Sequence, residues 1–431
     1  MNKSRIDTTV AVIGAGPSGS SAAYWLSLRG IDTVVLEKKH FPREKACGDG
    51  LTPRSVVQLE SMGLSNFLSK KHRYLGLRAN AYGKSLEIPW PSSPEYPSHG
   101  YVVTRYELDK AVAERAEALG AKVYQGFEVT GAALSSDEAI DFISATDERD
   151  GSVFEVHAKY YVLAEGANSR VARSIGAVRN RNEPMGMAVR AYFETDRSEE
   201  PWIESQMDLR NDDGDIIPGY GWIFPLGDGR ANIGFGLLTN SHRWRSINTT
   251  KALESYVRQI GPSWGIDPKS AHSKFIGGKL QMGHVVTPRA GNNYLLVGDS
   301  AASINPFNGE GIAYALETGK VAADVVTLAI GSPSIDLAKV YTSRLEERYG
   351  EYYSIARAFV KLISEPRIMA PAIWLATREQ RLMTPIVTVM ANLMSAQDPR
   401  LGDHLYSYAD KAFKVLKAVQ RSKEVFYPTT P

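Results

Sequence analysis

The sequence predicts an α/β protein in which a discontinuous Rossmann-like nucleotide-binding domain carries an inserted antiparallel β-sheet domain and is followed by a C-terminal helical region. Three observations predict it. The chain opens on an apolar run, Val10-Ala11-Val12-Ile13, a glycine turn, Gly14-Ala15-Gly16-Pro17-Ser18-Gly19, and an Ala/Ser-rich run to Leu26, which is the order strand, tight turn, helix. Far downstream a second buried strand, Tyr294-Leu295-Leu296-Val297, leads into Gly298-Asp299 and a helical stretch from about Gly309 to Ile330. Between the two, residues 185–239 alternate as the strands of an antiparallel sheet do.

The glycine turn has a physical purpose. Backbone N–H groups and the positive helix end converge there on a pyrophosphate, so the turn predicts a bound dinucleotide. The next strand, Thr33–Leu36, ends at Glu37, 18 residues after Gly19, the spacing of a carboxylate on an adenosine ribose 2′-OH; this favours FAD or NAD over NADP. Phe41-Pro42-Arg43 and the loop Cys47-Gly48-Asp49-Gly50 follow, then a helix from Pro53 to Met62. Residues 74–90 read as short strands, and Pro89, Pro91, Pro94 and Pro97 make an irregular connection. A helix over Tyr106–Leu119, a strand at Lys122–Tyr124 and a strand from Lys159 ending at Glu165-Gly166 return to the first domain. The expected partition is therefore residues 1–73, 100–180 and 285–335 for the nucleotide domain, 74–99 and 181–284 for the sheet domain, and 336–431 for the helical region.

A chain of 431 residues that is 43% hydrophobic can bury a large core and divide into two or three domains. Its net charge of +2, without a long basic block, argues against nucleic acid as a partner. One cysteine, Cys47, makes neither a disulfide framework nor a Cys-based metal site, and the eight histidines form no H-x-x-x-H pair, so no metal is expected. No signal peptide pattern precedes the first strand and no apolar stretch reaches about 18 residues. The expected location is cytoplasmic, with any membrane contact peripheral, at the inner face of the cell membrane.

Three separated pieces, Gly14–Gly19 with Glu37, Arg105 ahead of a helix, and Gly298-Asp299 with Pro306 and Gly309-Glu310-Gly311, resemble the FAD-binding elements of the para-hydroxybenzoate hydroxylase-like flavoproteins. Two more, Lys45-Ala46-Cys47-Gly48-Asp49-Gly50-Leu51-Thr52-Pro53-Arg54 and Tyr220-Gly221-Trp222-Ile223-Phe224-Pro225, resemble the geranylgeranyl reductase family, and within it the actinobacterial menaquinone reductases, from about Thr9 to about Met394. The resemblance implies a discontinuous FAD-binding domain. Its cofactor contacts would be Gly14, Ala15, Gly16, Pro17, Ser18, Gly19, Glu37, Lys38, Arg43, Cys47, Gly48, Asp49, Gly50, Arg105, Val129, Glu165, Gly166, Asp299, Pro306, Gly309, Gly311 and Ile312. Asp299 would hydrogen-bond the ribityl chain, with a helix N-cap as the plain structural reading. Glu165 stands where the wider family carries Asp.

The resemblance further implies an FAD-dependent reductase that saturates an isoprene C=C bond of a polyprenyl lipid or quinone, with the menaquinone side chain foremost. Catalysis is expected around Cys47, Gly48, Gly50 and Trp222, and a substrate wall from Tyr220, Trp222, Phe224 and Pro225. Alternation puts the three aromatic side chains on one face of a strand. Glycines at 48 and 50 leave a flavin face open to substrate. An isolated alkene has no carbonyl to polarise, so a proton must arrive with or before the hydride, and aromatic faces would steady the developing cation. Cys47, a tyrosine and bound water all stand as sources of that proton, and Cys47 also reads as a small buried hydrophobe. With no second G-x-G-x-x-G the electron donor is unassigned. An NAD(P)H-dependent aromatic hydroxylase on the same scaffold, and a reductase of another geranylgeranyl lipid, are the alternatives.

A lipid substrate calls for a peripheral membrane surface. Residues 341–431 hold 13 Lys/Arg against 9 Asp/Glu, and residues 366–395 mix apolar side chains with Arg367, Arg378 and Arg381. On a helix, Phe413, Val415, Leu416 and Val419 would share one arc and Lys411, Lys414, Lys417 and Arg421 the opposite one, a basic amphipathic helix.

Overall fold

The computed structural model describes residues 4–363, apart from 92, 184, 211–213, 215, 218 and 240–246, together with 373–374 and 380–394. Residues 366–372 and the basic amphipathic helix expected over 411–421 lie outside the described residues.

The nucleotide-binding sheet is built around the strand Ser4–Ile13, which pairs in parallel with Thr33–Glu37 on one side and Val153–Leu163 on the other. Lys122–Gln125 extends the sheet in parallel at one edge. On the other side, Val153–Leu163 splits its second edge: its first half pairs antiparallel with Ile140–Asp147, its last residues pair in parallel with Tyr294–Leu296. Phe127–Leu134 closes the antiparallel arm. Val10 and Val12 point into one core cluster with the helices, while Ala11 and Ile13 point into another with the antiparallel arm. Burial on both faces is why this strand reads as an unbroken apolar run rather than an alternating one.

At least four helices cover the first face. Pro17–Ser27 begins with Pro at its first position, Pro53–Ser61 likewise, and Arg105–Glu117 is opened by Thr104, whose Oγ1 accepts the Glu107 N–H while its hydroxyl donates to the Glu107 carboxylate, a reciprocal cap. The fourth, Ile312–Gly331, lies against the first helix so closely that a Cβ on Gly319 would run into the Ser18 carbonyl oxygen. Ser21 Oγ donates to the Leu316 carbonyl at 2.7 Å across the same contact.

The second sheet has the order 276–280, 186–194, 230–238, 219–225, 202–206, 76–81, 84–89. It departs from the antiparallel expectation at one pair: Trp202–Gln206 runs parallel to Gly76–Asn80. The two segments are joined through the whole antiparallel arm, so no hairpin forces them antiparallel. Helix Thr249–Trp264 packs on one face through Leu253, Tyr256 and Val257. A small three-stranded sheet, Gly50–Leu51, Gly100–Val102 and His72–Tyr74, joins this unit to the first. No helix among the described residues is long and apolar enough to cross a membrane.

The helix-on-helix contact yields a stability test. Alanine at Gly319 gains up to about 1 kcal/mol of helix propensity, but its methyl meets backbone that cannot rotate away, an overpacking cost of about 1–3 kcal/mol. Gly319→Ala is therefore expected to lower the thermal midpoint. Gly331→Ala, at the helix end with open space around it, is expected to leave it unchanged or raise it in the same differential scanning measurement.

Candidate active site

The glycine turn is a backbone device. Gly14 has φ +97°, and a Cβ there would sit 2.5 Å from the Ala164 carbonyl oxygen, so strand end and turn can approach only through glycine. Gly16 has open space where a side chain would stand, the nearest atom being an Arg43 guanidinium nitrogen at 3.9 Å. The helix that follows has no side-chain cap, leaving its first N–H groups for a ligand. Glu37, buried at the strand end, accepts from the Ala15 N–H at 2.9 Å and the Lys39 N–H at 3.0 Å. Lys38 is exposed beside it. Val129 is partly buried against the core cluster that holds Leu36.

Two arginines converge on one carboxylate that sequence reasoning did not single out. Asp109, fully buried, receives Arg105 through Nε at 2.6 Å and Nη2 at 2.8 Å, and pairs with Arg43 at 2.9 Å. Arg43 also reaches Glu37 at 3.3 Å. Asp109 stands one helical turn after Arg105, the i,i+4 spacing that marks such a pair in sequence.

Glu165 spends its carboxylate on the helix Arg170–Ser174, accepting the N–H groups of Arg170, Val171 and Ala172 at 2.9–3.1 Å. Asp299 is different. It sits in the turn Gly298–Ala301 and makes no side-chain hydrogen bond among the described residues; the long helix Ile312–Gly331 is preceded by Gly311 and has no side-chain cap. Burial pushes the Asp299 carboxyl up, opposed by the Lys45 ammonium and Arg105. Lys45 is itself held below its ordinary value by burial, its charge favoured by Asp299. Gly309 has φ +76° in the loop ahead of that helix, and buried Pro306 packs against Gly283. An uncapped helix at each end, an open glycine between, and a carboxylate with nothing bonded to it are what a dinucleotide with a ribityl chain requires, so the residues present fit FAD.

The loop Cys47–Gly50 is bound to the second sheet by Asp49. This residue has φ +67°, is fully buried, and accepts from Tyr192 Oη at 2.6 Å, Asn232 Nδ2 at 2.7 Å and the Arg105 N–H at 3.2 Å. Burial raises its carboxyl to about 6, against the pull of Tyr192, Arg190, Asn232 and Arg105. Asn232 also donates to the Cys47 carbonyl at 2.9 Å and accepts Trp222 Nε1 at 2.9 Å. Neither Asn232 nor Tyr192 carries a sequence signal beyond its place on a strand.

The aromatic residues of Gly219–Pro225 share one face as alternation demands: ring centroids of Tyr220 and Trp222, and of Trp222 and Phe224, are each 6.3 Å apart. Gly221 faces Tyr256 on the opposite side. Trp222 stands over Gly234, its partner on the next strand, where a side chain would collide with the indole. Tyr220 Oη donates to the Asn308 carbonyl at 2.6 Å, beside Gly309, and burial raises its phenol to about 12. Cβ atoms on Gly48 and Gly50 would lie 3.0 Å and 2.8 Å from the Phe224 ring, so these glycines admit the aromatic row to the loop. Pro225 is buried at the strand's end. Cys47 accepts the Asp49 N–H at 3.3 Å, and burial together with Asp49 pushes its thiol up, away from thiolate.

The model of the FAD binding domain family matches residues 7–363. The chain belongs to this flavoprotein family. A menaquinone reductase of Mycobacterium tuberculosis is 40% identical over 391 residues, covering 90% of this chain and 92% of that one. A digeranylgeranylglycerophospholipid reductase of Methanosphaera stadtmanae is 30% identical, covering 81% and 85%. Among solved structures, a geranylgeranyl bacteriochlorophyll reductase-like protein from Thermoplasma acidophilum shares the fold with a TM-score of 0.72 at 23% identity, covering 84% of this chain and 88% of that one. This flavoprotein is therefore an FAD-dependent oxidoreductase of the geranylgeranyl reductase kind.

The Asp49 centre has a measurable linkage. Its folded-state value, about 6, lies above the 3.8 of an unperturbed carboxyl, so the folded state binds the extra proton and stability falls as pH rises from about 4 to about 6. The shift corresponds to roughly 3 kcal/mol. Asp49→Asn is expected to remove this pH-dependent loss, read as a flatter urea-midpoint profile over that range than in the wild-type protein.

Proposed function

We propose that this flavoprotein saturates an isoprene C=C bond of a polyprenyl lipid, and that the menaquinone side chain is its substrate. One observation carries the reading: the Tyr220–Trp222–Phe224 row meets the glycine loop at Gly48 and Gly50 and continues through Phe224 into an apolar cluster with Ile88, Trp90, Met383 and Val387. These side chains are apolar, as the lining of a site for a polyprenyl tail must be. The relatives, a menaquinone reductase and a digeranylgeranylglycerophospholipid reductase, support the substrate class and favour the quinone.

FAD, when bound and reduced, supplies the hydride. The chain does the rest. The uncapped start of Ile312–Gly331 would favour negative charge on a flavin held against it, the apolar row would exclude water, and the indole of Trp222, fixed by Asn232, would steady positive charge growing on the alkene. Trp222→Leu is expected to slow single-turnover alkene reduction at least tenfold while FAD content stays near wild type; equal losses of both would remove the role. Lipids from cells with and without the gene should differ in quinones separated by two hydrogens. Substrate-stimulated consumption of oxygen and NAD(P)H would instead support a hydroxylase.

A polyprenyl substrate favours a peripheral place for the enzyme at the inner face of the cell membrane, and the exposed Trp374 and the basic composition of residues 341–431 support this. The full-length protein is expected to pellet with anionic vesicles and release at high salt; retention in the supernatant would contradict this placement.

A further inference from the structure

The reaction proposed above requires an acid, and the groups around the aromatic row differ in whether they have a proton to give. Tyr220 Oη already donates to the Asn308 carbonyl. The indole N–H of Trp222 is committed to Asn232. Asp49 has its carboxylate filled by Tyr192, Asn232 and the Arg105 N–H, and these point it into the sheet. Cys47 is a thiol made less acidic by burial. Lys45 lies toward Gly166 and Asp299, on the nucleotide side.

Glu310 is the exception. It stands between Gly309 and Gly311, on the loop to which Tyr220 is bonded. Its Oε1 is held by the hydroxyl of Thr52, a close contact, and by Ser55 Oγ at 3.4 Å. Thr52 follows directly on Gly50 and Leu51, so the carboxyl is bracketed by the two loops that touch the two ends of the aromatic row, Phe224 at Gly50 and Tyr220 at Asn308. Its Oε2 is buried and has no hydrogen-bond partner among the described residues. A buried carboxyl oxygen without a donor is costly as a carboxylate and natural as an acid O–H.

Resting on the reductase reading, we propose that Glu310 is the acid that protonates the alkene, held by Thr52 and Ser55 with its second oxygen free to give up a proton. In the step, the π bond of the alkene is consumed: the hydride supplied by the reduced cofactor forms a C–H bond at one carbon, and the Glu310 O–H breaks as its proton bonds the other. The cofactor is oxidised by two electrons, the alkene is reduced by the same two, and the carboxylate left on Glu310 is reprotonated from water.

The electrostatics agree with the geometry. Burial raises the carboxyl to about 7, against Thr52, Arg54 and Ser55, which favour its charged form, and with Glu317, which opposes it. Tyr74, Tyr96, Tyr314 and Tyr352 are the other titratable groups within its field. Arg54 is itself bonded to Glu317 at 2.9 Å, so it does not fill the free oxygen. An acid titrating near the working pH can both hold a proton and release it. The plain structural role, a carboxyl receiving hydroxyls at the start of helix Pro53–Ser61, survives replacement by glutamine, whose carbonyl accepts the same bonds. Proton donation does not.

The test uses FAD-loaded enzyme, reduced and mixed in single turnover with detergent-solubilised menaquinone bearing an unsaturated side chain, quenched, and read by mass spectrometry for the gain of two hydrogens. In the wild-type enzyme the rate should fall as pH rises through about 7. Glu310→Gln should retain FAD, react at least about 100-fold more slowly, and lose that pH limb. Thr52→Val removes a donor that favours the charged form, so its limb should move to higher pH. Infrared difference titration of the wild-type protein, without turnover, should show, besides the Asp49 carboxyl lost near pH 6, a further protonated-carboxyl component lost near pH 7 that is missing from Glu310→Gln. A Glu310→Gln enzyme as fast as wild type with the same pH profile, an unmoved limb in Thr52→Val, or a carboxyl titration in Glu310→Gln identical to that of wild type overturns the proposal while leaving the reductase reading intact. Wild-type enzyme that never saturates the side chain overturns both.

Discussion

The architecture turns on one buried carboxyl. Asp49 sits in a left-handed backbone conformation at the bottom of the loop Cys47–Gly50 and takes hydrogen bonds from three directions: the start of helix Arg105–Glu117, the strand carrying Tyr192 and the strand carrying Asn232. A side chain of this kind is expensive to desolvate unless every partner is in place. Its satisfaction therefore requires the nucleotide domain and the second sheet to be docked in one relation, and that relation places Trp222 and Phe224 against the glycines of the same loop. Asn232 carries the constraint onward, since the amide that serves Asp49 also fixes the indole.

Around this junction the chain leaves other polar groups conspicuously without internal partners. The helices Pro17–Ser27 and Ile312–Gly331 begin at Gly16 and Gly311 with no side-chain cap, and Asp299 lies between them unbonded. Elsewhere Thr104, Asn248 and Asp336 cap their helices by side chain and Glu165 takes three N–H groups of a short one, although Pro53–Ser61 also begins without a side-chain cap. Open helix starts of this kind suit a ligand that brings its own acceptors. The same arrangement also explains why Gly319 must stay small: the two uncapped helices converge on a common ligand only if their axes approach to backbone contact at Ser18.

Much of this was legible along the chain because it is local. The run Val10–Ile13 with Gly14–Gly19, the strand ending at Glu37, and the strand Tyr294–Leu296 before Gly298 are patterns of a few residues each, governed by strand burial and by turn sterics. The alternation Tyr220, Trp222, Phe224 likewise follows from the pleat. The parallel pairing of Trp202–Gln206 with Gly76–Asn80 was not legible, because no turn connects the two. Nor were Asn232 and Tyr192 as partners, since an asparagine or a tyrosine on a strand has the same appearance whether it faces solvent or a buried carboxyl. Glu310 carries no signal of its own in the sequence beyond its place between Gly309 and Gly311.

By itself the sequence determined which segments become strands and helices, where the backbone must be glycine, and that a dinucleotide binds, since these depend on steric rules acting over one turn or one pleat. Only the tertiary structure decided which of the many acidic groups lie out of water and what faces them. Asp49 and Glu310 are both acidic residues in glycine loops, yet one is filled by donors from three segments and the other has an oxygen left bare. Desolvation and hydrogen bonding are sums over neighbours brought from distant parts of the chain, and those sums exist only once the chain has folded.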